Sequence, residues 1–173
     1  MNLKDHIRTI PDFPKPGIMF RDITTLIKHS GAFRESINQL ASHYESEDFD
    51  LIAGIESRGF IFGAALANVL SKGFVPIRKK GKLPGKTESV TYDLEYGSDQ
   101  VEVHVDAIQK GSKVLVVDDL IATGGTARAA CDLIEKLGGE VAGCAFVIDL
   151  PELRGIEKLG KYKIKTLVSF EGH

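Results

Sequence analysis

Residues 114–127 have the sequence VLVVDDLIATGGTA, and they indicate the architecture of the whole chain. The first four residues are apolar and mostly β-branched, which predicts a buried strand. Two acids, Asp118 and Asp119, follow, and a turn of small residues then leads into a helical pattern. A strand, a tight turn and a helix in this order form the unit from which parallel sheets covered by helices are built.

The same order of elements occurs twice along the chain. The first unit predicts a strand over 51–55, a turn over 56–59, a helix over 60–70 and a strand over 74–77. The second predicts a strand over 113–117, a loop over 118–125, a helix over 126–137 and a strand over 141–148. We therefore expect one α/β domain over residues 1–173, with a central parallel sheet flanked by helices. Ligands of such sheets bind beyond the carboxyl ends of the strands, where both turns lie.

The segments outside these units predict smaller elements. Leu3, Ile7 and Ile10 have helical spacing, which predicts a short helix that stops at Pro11. Residues 13–22 contain two prolines and a glycine and predict a loop.

Two further segments have clear patterns. Apolar residues from Phe33 to Tyr44 recur at helical spacing and predict an amphipathic helix. Residues 79–105 begin with lysines, glycines and a proline and then alternate in two runs around Gly97. This pattern predicts a glycine-hinged loop that leads into a two-stranded ribbon, as in a lid.

The composition excludes several classes of protein. Of the 173 residues, 43% are hydrophobic and 27% charged, and the net charge is -2. We expect no nucleic-acid partner, because such proteins carry a strongly basic face, and no membrane partner, because no apolar run approaches about 20 residues. Cys131 and Cys144 form no CxxC pair, which predicts reduced core residues in a cytoplasmic protein. The histidines are scattered, so we expect no metal site built from protein side chains.

The small-residue turn after the two acids predicts a phosphate-binding cup. The dinucleotide pattern GxGxxG and the ATPase pattern GxxxxGK[ST] are both absent. Glycines let backbone amides converge on one anion, and the start of the following helix attracts negative charge. The predicted cup consists of Ala122, Thr123, Gly124, Gly125, Thr126 and Ala127.

The two acids have a function if the ligand is longer than a phosphate. Asp118 and Asp119 precede the cup by about the length of a sugar, and carboxylates accept hydrogen bonds from vicinal hydroxyls. Carboxylates also hold Mg²⁺ through its waters, since that ion prefers oxygen ligands. The segment therefore predicts a ribose 5-phosphate site. An ordinary strand-to-helix turn with solvated acids is the alternative.

This segment resembles the motif with which type I phosphoribosyltransferases bind 5-phosphoribosyl 1-pyrophosphate (PRPP). FPKPGIMFRDI, ESRGFIFG, IRKKGKLPG and LEYG resemble, in the same order, stretches of the members that use adenine. The resemblance extends from about residue 10 to the end of the chain. It implies the type I fold, with a β-ribbon lid at about 79–105 and a small N-terminal hood that binds the base.

The resemblance also implies a pyrophosphate site, for which the planar fork of arginine is well suited. Its residues would be Glu56, Ser57, Arg58, Arg78, Lys79 and Lys82. Members of the family often have a cis peptide here, which would join Glu56 to Ser57. A plain helix N-cap at Ser57 and a solvated lysine-rich face are the alternatives.

The lid and the hood would supply the catalytic group and the base pocket. Glu95 of LEYG would be catalytic, either accepting the proton of the attacking nitrogen or stabilising positive charge on the sugar, and Tyr96 would pack over the site. An exposed carboxylate that only aids solubility is the alternative for Glu95. Phe20 would stack on adenine, the backbone of Met19 and Arg21 would bind its edge, and Leu150 would cover the other face. Without the resemblance, 19–21 would be a hydrophobic staple under the next helix.

The implied reaction is purine salvage. The 5-phosphoribosyl group of PRPP would pass to N9 of adenine, giving AMP and pyrophosphate, in a homodimer. Mg²⁺ would be held by PRPP and waters near Asp118, with no direct protein ligand. A transferase for 6-oxopurines and a nucleotide-sensing regulator on the same fold are the alternatives. Ile156 departs from the basic residue expected there in many relatives.

Overall fold

A computed structural model describes residues 1–45, 48–94 and 96–173. Its strands are β1 Arg8–Pro11, β2 Met19–Asp22, β3 Leu51–Ile55, β4 Gly73–Lys79, β5 Thr87–Asp93, β6 Ser98–His104, β7 Lys113–Ile121, β8 Glu140–Asp149 and β9 Ile164–Ser169. Its α-helices are α1 Thr24–Lys28, α2 Ser30–Ser42, α3 Arg58–Leu70, α4 Gly125–Lys136 and α5 Gly155–Leu159. Short 3-10 helices occupy Leu3–His6 and Pro151–Leu153.

The main sheet has seven strands in the order β5-β6-β4-β3-β7-β8-β9. The five strands from β4 to β9 in that order run parallel, whereas β5 and β6 are antiparallel additions at one edge. The predicted α/β fold with a central parallel sheet is therefore confirmed. Strands β3 and β7 are neighbours at the centre, with Gly54 opposite Val117, so the turns that follow them lie side by side.

The sheet is covered on both faces, as its apolar strands require. In β7, Val114 and Val116 belong to the core on the α4 side, and Leu115 and Val117 to the core on the α2 and α3 side. All four side chains are fully buried. A parallel strand buried on both faces has a continuous apolar run instead of an alternating one, and this run is the signal that the sequence carries.

The ribbon β5–β6 continues the main sheet. Residues Arg78 and Lys79 of β4 lie opposite Glu102 and Val101 of β6. Val90 and Tyr92 of β5 pack against the core on the α4 side. The body of the ribbon is thus attached to the rest of the domain, and the movement of residues 79–105 as a lid stays a prediction.

Two predictions for the N-terminal region are wrong. The expected helix through Ile10 is a 3-10 turn that ends at His6 and is followed by β1, and the last part of the expected loop at 13–22 is β2. The strands form an antiparallel hairpin, in which Ile10 lies opposite Phe20. Leu3 and Ile7 are buried as their spacing implies, but pairing with β2 decides the backbone conformation after Ile7.

One boundary at the centre of the sheet is also wrong. Strand β7 was expected to end at Val117 but continues to Ile121, so both aspartates lie in the strand. Asp118 pairs with Phe146 of β8, and Ile121 with Asp149. Acidic residues fit in the strand because this end of the sheet opens into a cleft. The loop before α4 is therefore only 122–124.

Candidate active site

A cleft of about 710 Å³ lies beyond the carboxyl ends of the central strands. The predicted site residues that line it are Met19, Phe20, Arg21, Glu56, Arg58, Lys79, Asp118, Asp119, the cup at 122–127, and Leu150. Three other predicted site residues are described by the structure but do not line the cleft: Ser57, Arg78 and Lys82. Glu95 lies outside the described residues. Three predicted subsites thus adjoin one another in a single cleft.

The phosphate cup is held by direct backbone packing. Gly124 precedes α4 with φ of +87°, a conformation that favours glycine. A Cβ on Gly124 would lie 2.4 Å from the carbonyl oxygen of Gly155, and a Cβ on Gly155 would lie 2.3 Å from that of Ala122. Both separations are far shorter than any real contact. The start of α5 therefore supports the cup from behind, and only glycine fits on either side.

The two acids of the cleft have different environments. Asp119 is 7% exposed, and its Oδ2 accepts a hydrogen bond from Arg58 Nε at 2.7 Å. Asp118 Oδ1 accepts a bond from the amide of Asp119 at 2.8 Å, and lies where a Cβ on Gly59 would be only 2.8 Å away. Burial and the adjacent charge of Asp119 raise the pKa of Asp118 well above its usual range. Arg58 therefore pairs directly with Asp119, whereas Asp118 ionises less readily than an ordinary carboxyl group.

Replacing Asp118 by asparagine is expected to raise the melting temperature at neutral pH by about 2–6 °C. Because the pKa of Asp118 is higher in the folded protein, the unfolded chain, with an ordinary pKa of about 3.9, loses this proton first as pH rises. Ionisation therefore favours the unfolded chain above about pH 4. Asparagine cannot ionise, and its amide oxygen can still accept the bond from the Asp119 amide. Thermal melts from about pH 4 to pH 8 should show a gap that widens with pH; a constant gap would contradict this reasoning.

Three of the four cations predicted to bind pyrophosphate pair with carboxylates in the structure. Arg58 pairs with Asp119 at 2.7 Å, Arg78 with Glu56 at 3.2 Å and Lys79 with Asp99 at 2.8 Å. Burial alone would raise the pKa of Glu56, but the bonds it accepts from the Lys79 amide and from Arg78 lower it.

The turn before α3 leaves its helix amides without a side-chain cap. The peptide between Glu56 and Ser57 is cis, as expected. Ser57 occupies the N-cap position, but its hydroxyl makes no capping hydrogen bond. The positive end of the α3 dipole therefore adjoins the cleft beside Arg58, an arrangement that favours anions.

The hairpin β1–β2 supplies the apolar side of the cleft. The Phe20 ring meets Phe13 edge to face at 5.2 Å, and Met19 is 40% exposed. The side chain of Arg21 binds Thr9 Oγ1 at 2.6 Å and lies over the Phe170 ring at 4.6 Å. The guanidinium group of Arg21 is therefore held by Thr9 and Phe170, while its Nε is buried without a hydrogen-bond partner.

Sequence reasoning missed several residues near the cleft. The main ones are Tyr92 and Asp99 of the ribbon, Leu153 and His173 of the lining, and Gly155 behind the cup. The alternation in β5 predicted that Val90 and Tyr92 share a face, but gave no sign that this face lies on α4. Tyr96 is 84% exposed and does not pack over the cleft as expected.

The described residues contain neither a cluster of metal ligands nor a membrane-spanning helix. Across 1–45, 48–94 and 96–173 there is no group of three or more His, Cys, Asp or Glu side chains that could hold a metal ion. No helix within those ranges is both long and apolar enough to cross a membrane.

Known phosphoribosyltransferases are similar to this chain in both sequence and fold. A family model for the phosphoribosyl transferase domain matches residues 24–172. A relative from Desulfosudis oleivorans named adenine phosphoribosyltransferase is 58% identical over 172 residues, which cover 99% of each chain. The adenine phosphoribosyltransferase structure from Thermoanaerobacter pseudethanolicus is 52% identical, with a TM-score of 0.94 over 97% of this chain and 98% of that chain. The Saccharomyces cerevisiae enzyme, solved with adenine and an imino-altritol bisphosphate, is 44% identical, with a TM-score of 0.92 over 96% of each chain.

Proposed function

Because the chain belongs to the phosphoribosyltransferase family, we propose that its cleft joins adenine to the phosphoribosyl group of PRPP. The products are AMP and pyrophosphate, and the process is purine salvage. The observation that carries this assignment is the adjacency of Asp118, Asp119 and the 122–127 cup in one cleft, in a chain similar throughout to adenine phosphoribosyltransferases. The 6-oxopurine transferase and the regulator are not adopted, since the relatives named above are adenine enzymes.

PRPP lies along the carboxyl ends of β3 and β7 in this proposal. The 5-phosphate occupies the 122–127 cup, where backbone amides and the α4 dipole attract it. The ribose hydroxyls donate to Asp118 and Asp119. The pyrophosphate lies against the Glu56–Ser57 turn, with Arg58, Arg78, Lys79 and Lys82 as its cations. Binding must loosen the carboxylate pairs of Arg58, Arg78 and Lys79, so that these cations face the ligand.

Adenine binds on the apolar side of the cleft. Phe20 stacks on one face of the purine, and Leu150, which is 7% exposed, covers the other. The backbone of Met19 and Arg21 hydrogen-bonds the purine edge, which suits a neutral base. The yeast relative, solved with adenine and a bisphosphate, supports a base and a phosphate in the same cleft.

The reaction exchanges one bond at C1′ for another. The bond from C1′ to the pyrophosphate oxygen breaks while the bond from C1′ to adenine N9 forms, with inversion, and the N9 proton is lost. Glu95 accepts this proton or stabilises the positive charge on the sugar. Positioning supplies most of the acceleration, because no covalent intermediate is needed. Closure of the lid at about 79–105 excludes the water that would hydrolyse PRPP.

The donor groups fit a magnesium ion that arrives with PRPP. Two neighbouring carboxylates, Asp118 and Asp119, lie in the cleft, and the described residues contain no three-ligand cluster that would hold the ion alone. Oxygen atoms of PRPP and of water would be its ligands, and Asp118 would hold the ion through those waters. When bound, Mg²⁺ neutralises pyrophosphate charge and polarises the leaving oxygen.

The reaction is tested by measuring pyrophosphate release from adenine, PRPP and Mg²⁺. We expect turnover with adenine and little with guanine, hypoxanthine or xanthine. The comparison variant is Asp118→Asn, which should weaken PRPP binding because asparagine cannot become the carboxylate that accepts the ribose hydroxyl. Turnover of guanine but not adenine would overturn the base assignment, and no turnover of any purine would overturn the function.

The outer face of α3 is the proposed surface of a homodimer. Ile61 and Val69 are 40% and 55% exposed on this strongly apolar helix, and Ala64 and Asn68 lie exposed between them. A second copy of the chain would cover this face.

Two free, buried cysteines with sulfurs 3.5 Å apart support a reducing, cytoplasmic location.

Replacing Val69 by aspartate is expected to convert the dimer into a monomer. A carboxylate on an apolar interface would be desolvated without a partner. Light scattering after size-exclusion chromatography would measure the mass. Asn38→Asp, on the exposed side of α2, is the control and should stay dimeric. A wild-type protein of single-chain mass would refute the homodimer, and an unchanged V69D mass would refute this interface.

A further inference from the structure

A chain of polar groups joins the ribbon to the phosphate cup. Lys79 Nζ lies 2.8 Å from Tyr92 Oη and 2.8 Å from Asp99 Oδ2. Tyr92 Oη lies 3.0 Å from Thr126 Oγ1, in the first turn of α4, and 3.4 Å from Asp99 Oδ2. One phenol hydroxyl therefore links a cation at the end of β4 to a hydroxyl of the cup.

The Tyr92 ring is held in a fixed place. It packs against the core on the α4 side, and a Cβ on Gly125 would lie 3.5 Å from its Cδ2. Lys136 of α4 holds the same strand, donating to the Ser89 carbonyl and pairing with Glu88 at 3.0 Å. The position of the hydroxyl is thus set by the body of the ribbon and by α4.

The proton of the Tyr92 hydroxyl has two acceptors. In the structure, Thr126 donates to Tyr92, and Tyr92 donates across the long 3.4 Å contact to Asp99. Asp99 is already satisfied by Lys79 at 2.8 Å. A hydroxyl both donates and accepts, so either proton can turn. A phosphate in the cup is a stronger acceptor than a phenol and would take the Thr126 proton.

We propose that Tyr92 is a positioning residue for the 5-phosphate of the substrate. With phosphate bound, Thr126 donates to it and accepts from Tyr92, and Tyr92 accepts from Lys79. Every donor in the chain Lys79, Tyr92, Thr126 then points towards the phosphate. Aligned hydrogen bonds polarise one another, so the Lys79 charge strengthens the Thr126 bond without touching the ligand.

The inference deepens the proposed function and rests on it. Lys79 serves the 5-phosphate end through Tyr92 whether or not it also reaches the pyrophosphate. The ribbon thereby contributes to substrate binding from its body, independently of the segment around Glu95. Loss of the phenol oxygen should weaken the binding of ligands that carry a 5-phosphate and leave the binding of other ligands unchanged.

Tyr92→Phe tests the role of the hydroxyl while keeping the ring. Calorimetry with AMP, adenine and pyrophosphate, each added alone, measures the three subsites. We expect AMP to bind about three- to tenfold more weakly, the net worth of one ordinary hydrogen bond, because the Thr126 bond to the phosphate loses its polarising partner. The affinities for adenine and pyrophosphate should not change. Equal AMP affinity, or a loss confined to pyrophosphate, would overturn the inference.

A double-mutant cycle with Thr126 tests the relay itself. Thr126→Val should weaken AMP binding by removing the donor, and Thr126→Ser should restore it. Adding Tyr92→Phe to Thr126→Val should cause no further loss, because Tyr92 acts only through the Thr126 hydroxyl. Additive losses would refute the relay. An equal loss of AMP affinity in Tyr92→Phe and Thr126→Ser would also refute it, because serine keeps the hydroxyl.

Tyr162→Phe is the matched control for loss of a phenol hydroxyl. Tyr162 donates to Glu135 on α4 at 2.5 Å, away from the cleft lining. Its AMP affinity should equal that of the wild type even if its melting temperature falls, so a weakened Tyr162→Phe would show a general effect and refute a specific role for Tyr92. Wild-type turnover separates the two claims: a protein that forms AMP but is indifferent to Tyr92→Phe refutes only this inference.

Discussion

Gly155→Ala is expected to lower kcat/KM for PRPP by about 100-fold, the size of effect that a misplacement of about 1 Å can produce. The added methyl group would lie 2.3 Å from the Ala122 carbonyl oxygen and 3.0 Å from the Gly124 amide nitrogen. Neither backbone atom can rotate away as a side chain would, so α5 or the cup must move. The backbone amides of the cup would then no longer converge on the proposed 5-phosphate position.

The measurement is kcat/KM for PRPP together with the affinity for adenine, whose proposed site lies on the other side of the cleft and which should therefore change little. Gly31→Ala is the control, because a Cβ there meets only the ends of Met1 and His29 side chains. Gly124→Ala should reproduce the defect from the opposite side of the contact. Full activity of Gly155→Ala in a protein that melts normally would show that α5 does not support the cup.

Glu95→Gln is expected to lower kcat by about 100-fold, within the range for loss of a positioned acid or base. Glutamine keeps the size of the side chain but cannot take the N9 proton or carry negative charge beside the sugar. The KM for PRPP should change far less than kcat, because the proposed PRPP site consists of the cup, the acids and the cations.

Single-turnover rates separate chemistry from product release in this test. Asp93→Asn is the matched control on the same ribbon, since Asp93 is exposed and does not line the cleft. It should keep the wild-type rate. A Glu95→Gln protein with wild-type single-turnover rates would remove Glu95 from the mechanism.

The central sheet could be predicted because its strands carry a strong local signal. Strand β3 has the predicted limits, and the run from Val114 to Val117 was correctly taken as buried on both faces. The hairpin β1–β2 could not be predicted, since its pairing joins residues about ten positions apart across a proline-rich loop. The end of β7 was missed because Asp118 and Asp119 are rarely strand residues, and only the neighbouring β8 extends the strand past them.

The candidate site divides in a similar way. The cup and the acids follow from the composition of one short segment, whereas the roles of Phe20 and Glu95 came only from the family resemblance. Gly155 and Tyr92 carried no usable signal, because their importance depends on contacts with Gly124 and Thr126 that are distant in sequence.

The carboxylate partners of Arg58, Arg78 and Lys79 affect how other anions in the cell compete for the cleft. Orthophosphate and common metabolite anions meet a cleft whose guanidinium and ammonium groups already have counter-ions. A single small anion gains little by displacing one of them. In the proposed complex, the diphosphate and diol of PRPP would replace the partners of several of these groups at once. Small anions should therefore compete only weakly with PRPP for the cleft.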